Sequence, residues 1–241
     1  MTYCIGVKLD QGLVFLSDSR TNAGLDSIGT FRKMMIYERP GDRFMVMLTA
    51  GNLSISQQVR EILQNERLAE GDGPPITIWN ATMILGGQIG TESMRLFLVY
   101  SAGNFIEATK ETCFFQIGES KYGKPVLDRM IHPGTPLDEA AKCVLVSMDS
   151  TLKSNLSVGL PLDLVVYQAG SLQSDQIVCI DEQNPYFRMI RETWGQRLRE
   201  VFESLDAPEW NGEADALAPL VVPARRYERM KRITHPGERI V

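Results

Sequence analysis

The chain has 241 residues, 44% hydrophobic and 23% charged, with a formal net charge of -5 and a pI near 5.2. This composition excludes a disordered or collagen-like chain, and the acidic balance excludes a surface dominated by nucleic-acid binding. No basic leader with an apolar core is visible and no apolar run approaches the ~20 residues of a membrane span, so the expectation is a cytoplasmic protein with no nucleic acid or membrane partner.

The first predicted element follows directly on the initiator. Tyr3, Ile5, Val7 and Leu9 alternate with Cys4, Gly6 and Lys8, the period of a half-buried strand. Asp10-Gln11-Gly12 reads as a hairpin turn into a second strand, Leu13 to Asp18. Asn22-Ala23-Gly24 is a further turn signal, and strands fit Phe31 to Glu38 and Phe44 to Ala50 on either side of Arg39-Pro40-Gly41-Asp42. Ile55, Val59, Ile62 and Leu63 then recur at helical spacing behind Ser54 or Ser56 as caps. After the break at Glu70 to Pro75, a second helix is expected from Ile76 to about Gly87, weakened at its end by Gly86-Gly87.

Met94 to Ser101 and Phe105 to Ala108 flank a Gly103-Asn104 turn, and Cys113 to Ile117 makes a further strand. Helical spacing returns over Lys121 to Ile131 and Leu137 to Lys153. Leu162 to Gln168 and Gln176 to Ile180 are strands, and Asn184 to Leu205 is a long amphipathic helix. Runs of strands followed by runs of helices predict an α+β protein with antiparallel sheets, and a four-layer αββα sandwich accommodates the order. The domain spans 1–206. Residues 207–241 are Pro-, Ala- and charge-rich and locally basic at Arg225, Arg226, Arg229, Lys231 and Arg232. This extension reads either as a surface tail or as an arm that docks on an acidic neighbouring subunit.

The residues exclude most familiar chemistry. The two histidines, His132 and His235, lie near no G-x-S-x-G elbow, and there is no HExxH, P-loop or Rossmann fingerprint. Cys4, Cys113, Cys143 and Cys179 sit far apart in apolar runs without zinc-ligand spacing. They are expected to be reduced and buried, and no metal or cofactor is expected. What remains is Thr2. A hydroxyl needs a base close by to act as a nucleophile, and if Met1 is removed Thr2 carries its own, an α-amine with a reference pKa near 8. Threonine is small enough for that removal. A nearby lysine disfavours protonation of the amine by like-charge repulsion; the candidates are Lys8 and Lys33. Asp18 is the candidate partner for a lysine on an inward strand face.

Thr2 opening a strand, Ser17-Asp18-Ser19-Arg20 ending the second, Lys33 on the third and Thr49-Ala50-Gly51 ending the fourth resemble the β-subunits of the 20S proteasome. The closer resemblance is to the bacterial homologues called Anbu, the ancestral β-subunit family. These also begin Met-Thr and are similar in Gly118-Glu119-Ser120-Lys121-Tyr122-Gly123-Lys124 and Lys153-Ser154-Asn155-Leu156-Ser157-Val158-Gly159. The similarity runs over about residues 2–205.

The resemblance implies an N-terminal-nucleophile hydrolase with Thr2 as nucleophile, Lys33 tuning its amine, Asp18 holding Lys33, and the Gly51 N–H as oxyanion donor. It implies a substrate groove at Thr21 and Asn22, and a specificity pocket at Phe31, Met35, Thr49 and Leu53 that prefers uncharged side chains. Arg20, Ser120 and Ser154 belong to the supporting shell, and Ser157 is placed to bond the Thr2 amine. Two positions depart from the proteasome pattern: Ser154 stands in place of an aspartate, and Gly118-Glu119-Ser120 in place of Gly-Ser-Gly. The implied partners are further copies of the chain, in a ring or open helical stack, a peptide or protein substrate, and an unidentified activator. A scaffold that kept the fold and lost turnover is the alternative.

Overall fold

Alternating runs that are apolar on both of their faces decide the architecture. The computed structural model describes residues 2–22, 28–52, 57, 81–174 and 176–207. The chain divides into one unit over Met1–Trp194 and a second over Gly195–Val241.

In chain order the strands are β1 (Tyr3–Lys8), β2 (Gly12–Asp18), β3 (Arg20–Asn22), β4 (Ile28–Thr30), β5 (Met34–Arg39) and β6 (Arg43–Gly51). There follow β7 (Ala81–Ile89), β8 (Arg95–Val99), β9 (Phe105–Glu107) and β10 (Phe114–Gly118). Helices α1 (Ser120–Met130) and α2 (Leu137–Ser154) precede β11 (Leu162–Gln168) and β12 (Gln176–Ile180), and α3 covers Pro185–Glu203.

Two five-stranded sheets result, β10-β1-β2-β11-β12 and β5-β6-β7-β8-β9, with a β3–β4 hairpin beside them. All their pairings are antiparallel. In the first sheet Tyr3, Ile5, Val7, Val14 and Leu16 pack against Leu127 of α1 and Val144, Leu145 and Met148 of α2. Its opposite face sends Cys4, Leu13, Phe15, Val165 and Tyr167 against Phe44, Val46, Leu48, Ile84 and Leu96 of the second sheet. Phe44 and Tyr167 stack with ring centroids 4.6 Å apart. The protein is therefore α+β, with two antiparallel sheets face to face and helices on the outside of the first. The helix expected over 55–63, its cap and the break at 70–75 lie outside the described residues except for Gln57, as does the tail beyond Ala207.

Three expectations are corrected. β1 is not half-buried: of its six residues only Lys8 is not fully buried, because the strand lies between helices and a second sheet. Residues 81–87 are not helical but form most of β7, a central strand of the second sheet. The two glycines that resemble a weak helix end are there for close strand packing. A Cβ on Gly86 would lie 2.7 Å from Leu96 Cδ1, and one on Gly87 only 2.1 Å from the Phe44 carbonyl oxygen. Cys179, finally, is exposed on β12 at the sheet edge, whereas Cys4, Cys113 and Cys143 are buried.

The glycine contacts set a measurable contrast. Gly87→Ala drives a methyl into backbone and loses about 3 kcal/mol in urea unfolding. Gly41→Ala, at φ +76° with nothing within 4 Å, loses only the left-handed penalty of about 1 kcal/mol. Equal losses at the two positions contradict the packing of β6 on β7.

Candidate active site

The polar end of the inter-sheet space is built around one carboxylate. β2 is buried along its whole length and ends in Asp18, which is 0% exposed. Lys33, 4% exposed, donates from Nζ to Asp18 Oδ1 at 2.7 Å. The same oxygen accepts the Tyr3 N–H at 2.9 Å, and Oδ2 takes the Gly159 N–H at 3.4 Å. Asp18 therefore joins the start of β1, the segment ahead of β5 and the α2–β11 loop. Burial pushes its pKa above the ordinary carboxylate value, while the Lys33 charge and hydrogen bond, then the Tyr3 and Gly159 N–H groups, pull it back.

Lys33 reaches Asp18 because it is not in a strand. Residues 31–33 are irregular, and β5 begins only at Met34. The Lys33 carbonyl is still held, accepting the Thr49 N–H at 3.0 Å. Lys8, the other candidate lysine, lies at the far end of β1, where it acts electrostatically on Glu107.

Thr2 is half-buried and immediately precedes β1. Its carbonyl accepts the Glu119 N–H at 2.7 Å. Gly118 makes that approach possible. Its φ is +83°, and a Cβ there would sit 1.8 Å from the Thr2 oxygen. Below, Tyr3 is fully buried and its hydroxyl joins Ser147 Oγ at 2.7 Å and the Gln116 amide, which fixes the strand that carries Thr2.

The other expected site residues fall into groups. Thr49 is buried beside Lys33, and its carbonyl faces the Cys4 thiol at 3.9 Å. Met35 packs with Met47, Ala81 and Met83. Phe31 is half-buried and donates its N–H to the Ser19 carbonyl at 2.7 Å. Gly51 ends β6 at φ +113°, and Thr21 and Asn22 pair with Gly29 and Ile28 in the β3–β4 hairpin. Leu53 lies outside the described residues. Arg20 donates to the Leu156 carbonyl at 2.9 Å, which fastens the α2–β11 loop.

Ser157 Oγ donates to Asn155 Oδ1 at 2.5 Å, and Ser154 is exposed at the end of α2. Ser120 opens α1 half-buried. Sequence reasoning did not single out Tyr3, Gly159 or Glu119 as members of this site. Two clefts lie elsewhere. One of about 660 Å³ runs between α2 and β11–β12, and a charged one lies between α2 and α3, lined by Asp149, Lys153, Arg188 and Arg191.

No protein-family model matches the chain, and no curated protein matches it. Solved structures do. The chain is 44% identical to Anbu (ancestral beta-subunit) from Yersinia bercovieri, with a TM-score of 0.80 over 86% of this chain and 100% of that one. It is 40% identical to Anbu from Hyphomicrobium sp. strain MC1, with a TM-score of 0.80 over 86% and 100% of the two chains. The helical assembly of the Anbu complex from Pseudomonas aeruginosa is also 40% identical, with a TM-score of 0.79 over 86% and 98%.

The buried pair makes a signed prediction. Lys33→Met leaves the Asp18 carboxylate buried without its cation, at about 3–5 kcal/mol near neutral pH. Its folded pKa then rises further above the unfolded value, so the folded chain binds the proton more tightly. The variant's stability falls as pH climbs from the ordinary carboxylate range through that raised value, and recovers on acidification. Urea unfolding across a pH series reads this directly; a difference from wild type that does not vary with pH contradicts it.

Proposed function

The chain belongs to the Anbu family, and from that premise we propose that it is a threonine-type N-terminal-nucleophile hydrolase, an endopeptidase or amidohydrolase, acting in a self-assembled oligomer. The observation that carries this reading is Thr2 flanked by a residue whose N–H binds Asp18, with Asp18 itself paired to the buried Lys33.

In the proposed reaction Met1 has been removed and the Thr2 α-amine is neutral. It takes the proton from Oγ1 as Oγ1 adds to the substrate carbonyl carbon. The tetrahedral oxyanion is held by the Gly51 N–H, the kind of donor whose loss lowers rate about 10²–10³-fold. The intermediate collapses as the C–N bond breaks and the departing amine takes the proton back, which leaves an ester on Thr2. Water, deprotonated by the same amine, then adds to that ester, and collapse releases the acid and restores the Thr2 hydroxyl. Lys33 keeps the amine's proton affinity low, and Asp18 holds Lys33 in place. Thr21 belongs to the proposed groove, and Phe31, Met35 and Thr49 to its proposed neutral pocket.

The Pseudomonas aeruginosa relative is described as a helical assembly, and we propose that this chain likewise associates with its own copies, in an open helical stack or a ring. A cytoplasmic location and an activator belong to the same proposal. Among the described residues no helix is long and apolar enough to cross a membrane. A second reading, an assembly scaffold without turnover, is favoured by one observation: Ser154 is exposed and Ser157 is committed to Asn155.

Intact mass of the purified protein is expected to lack one methionine; Thr2→Ala then lowers peptide cleavage by about 10³-fold or more with assembly unchanged, and Lys33→Ala lowers it likewise while also losing stability. Retained Met1, or variants that cleave like wild type, sinks the enzyme reading and leaves the scaffold. In a peptide panel varied at the residue before the cut, uncharged side chains turn over fastest; best cleavage after an acidic or basic residue rejects the assigned pocket.

A further inference from the structure

β1 and β10 pair antiparallel with Tyr3 opposite Gly118 and Cys4 opposite Ile117. One step further along this register, Thr2 stands opposite Glu119, and the Glu119 N–H donates to the Thr2 carbonyl. Gly118, at φ +83°, turns the chain between the end of β10 and Glu119, so Thr2 and Glu119 adjoin through their backbones. Cys4, two residues after Thr2, and Phe115 and Ile117 of β10 belong to the core between the sheets.

The Glu119 side chain is only 16% exposed, and its ionic neighbour is Lys121 Nζ at 3.7 Å. It stands at the N-cap of α1 and yet makes no capping hydrogen bond with its side chain. The usual reason for an acidic residue at a helix start is thus missing, and no other described donor hydrogen-bonds its carboxylate. In the α2–β11 region Ser154 is exposed and the Ser157 hydroxyl binds Asn155.

We propose that Glu119 is a positioning residue for Thr2, its carboxylate accepting a hydrogen bond from the α-amine that loss of Met1 exposes; the inference rests on the reading of Thr2 as an N-terminal nucleophile. The amine then lies among four charged groups, Asp18 and Lys33 from β2 and the segment before β5, and Glu119 and Lys121 from the start of α1. Lys33 favours the neutral amine. Glu119 restrains its rotation and draws its proton affinity back up, so the base is held in one orientation while staying able to accept the Oγ1 proton.

The test uses the full chain beginning at Thr2, as wild type, Glu119→Gln and Glu119→Asp. Acylation of the N-terminal amine by an amine-reactive ester, followed by mass spectrometry of the N-terminal peptide across pH, reports the neutral fraction whether or not peptide is cleaved. The midpoint in Glu119→Gln is expected to fall by about one pH unit, because a nearby negative charge has gone, and Glu119→Asp is expected to stay near wild type. Equal midpoints in wild type and Glu119→Gln overturn the inference and leave Glu119 a structural residue. The shift without peptide cleavage by wild type upholds Glu119 and rejects the peptidase reading; cleavage without the shift does the reverse.

Discussion

A lysine ammonium and an aspartate at 4% and 0% exposure must be matched almost completely, since each ion loses several kcal/mol of hydration on burial. Lys33 and Asp18 meet at 2.7 Å, but one cation does not satisfy a carboxylate. Asp18 completes its coordination with two backbone N–H groups, from Tyr3 and Gly159. Those donors belong to the first strand and to a loop far along the chain. The requirement to satisfy one buried charge therefore fixes the position of the N-terminal strand. A hydrophobic pair of the same volume is often neutral or more stable than a buried ion pair, so stability alone gives little reason to keep this one. A chemical role for the end of β1 gives a better one.

The surrounding fold explains why Thr2, rather than the nearby thiol, is the candidate nucleophile. Cys4 shares the inner face of β1 but is fully buried, and its burial, with the negative charge of Asp18, pushes the thiol pKa well above its ordinary value. It therefore remains a thiol, and only the thiolate is reactive. Thr2 lies one position before the strand and is half-buried.

Much of the fold was legible because its signals are local. The first hairpin, β11, β12 and the three described helices follow from alternation, turn residues and helical spacing, within a residue or two at their ends. β7 was not legible, since Met83, Leu85 and their neighbours have no cue separating a buried strand from a helix until Gly86 and Gly87 are seen against Leu96 and Phe44. The Asp18–Lys33 pair could be anticipated from the need of an inward charge for a partner. Glu119 could not, because only the β1–β10 register brings it opposite Thr2, and no short-range pattern encodes a pairing between residues so distant in the chain.

The support around Thr2 is asymmetric, and the asymmetry follows from how each side is tethered. The α2–β11 loop is held by its own bonds: Asn155 engages the Ser157 hydroxyl and N–H, Arg20 holds the Leu156 carbonyl, and Gly159 binds Asp18. Gly159 also admits the Arg20 side chain, which a Cβ there would meet at 2.1 Å. A loop tied at three successive points has little freedom to turn a serine toward a neighbour. The β10–α1 side instead meets Thr2 through backbone, with Gly118 in a positive-φ conformation and the Glu119 N–H on the Thr2 carbonyl. Backbone contact fixes where Thr2 stands and leaves the Glu119 side chain uncommitted to that task. The two sides of Thr2 thus differ in kind, side-chain bonds holding the α2–β11 loop and main-chain contact holding the β10–α1 corner.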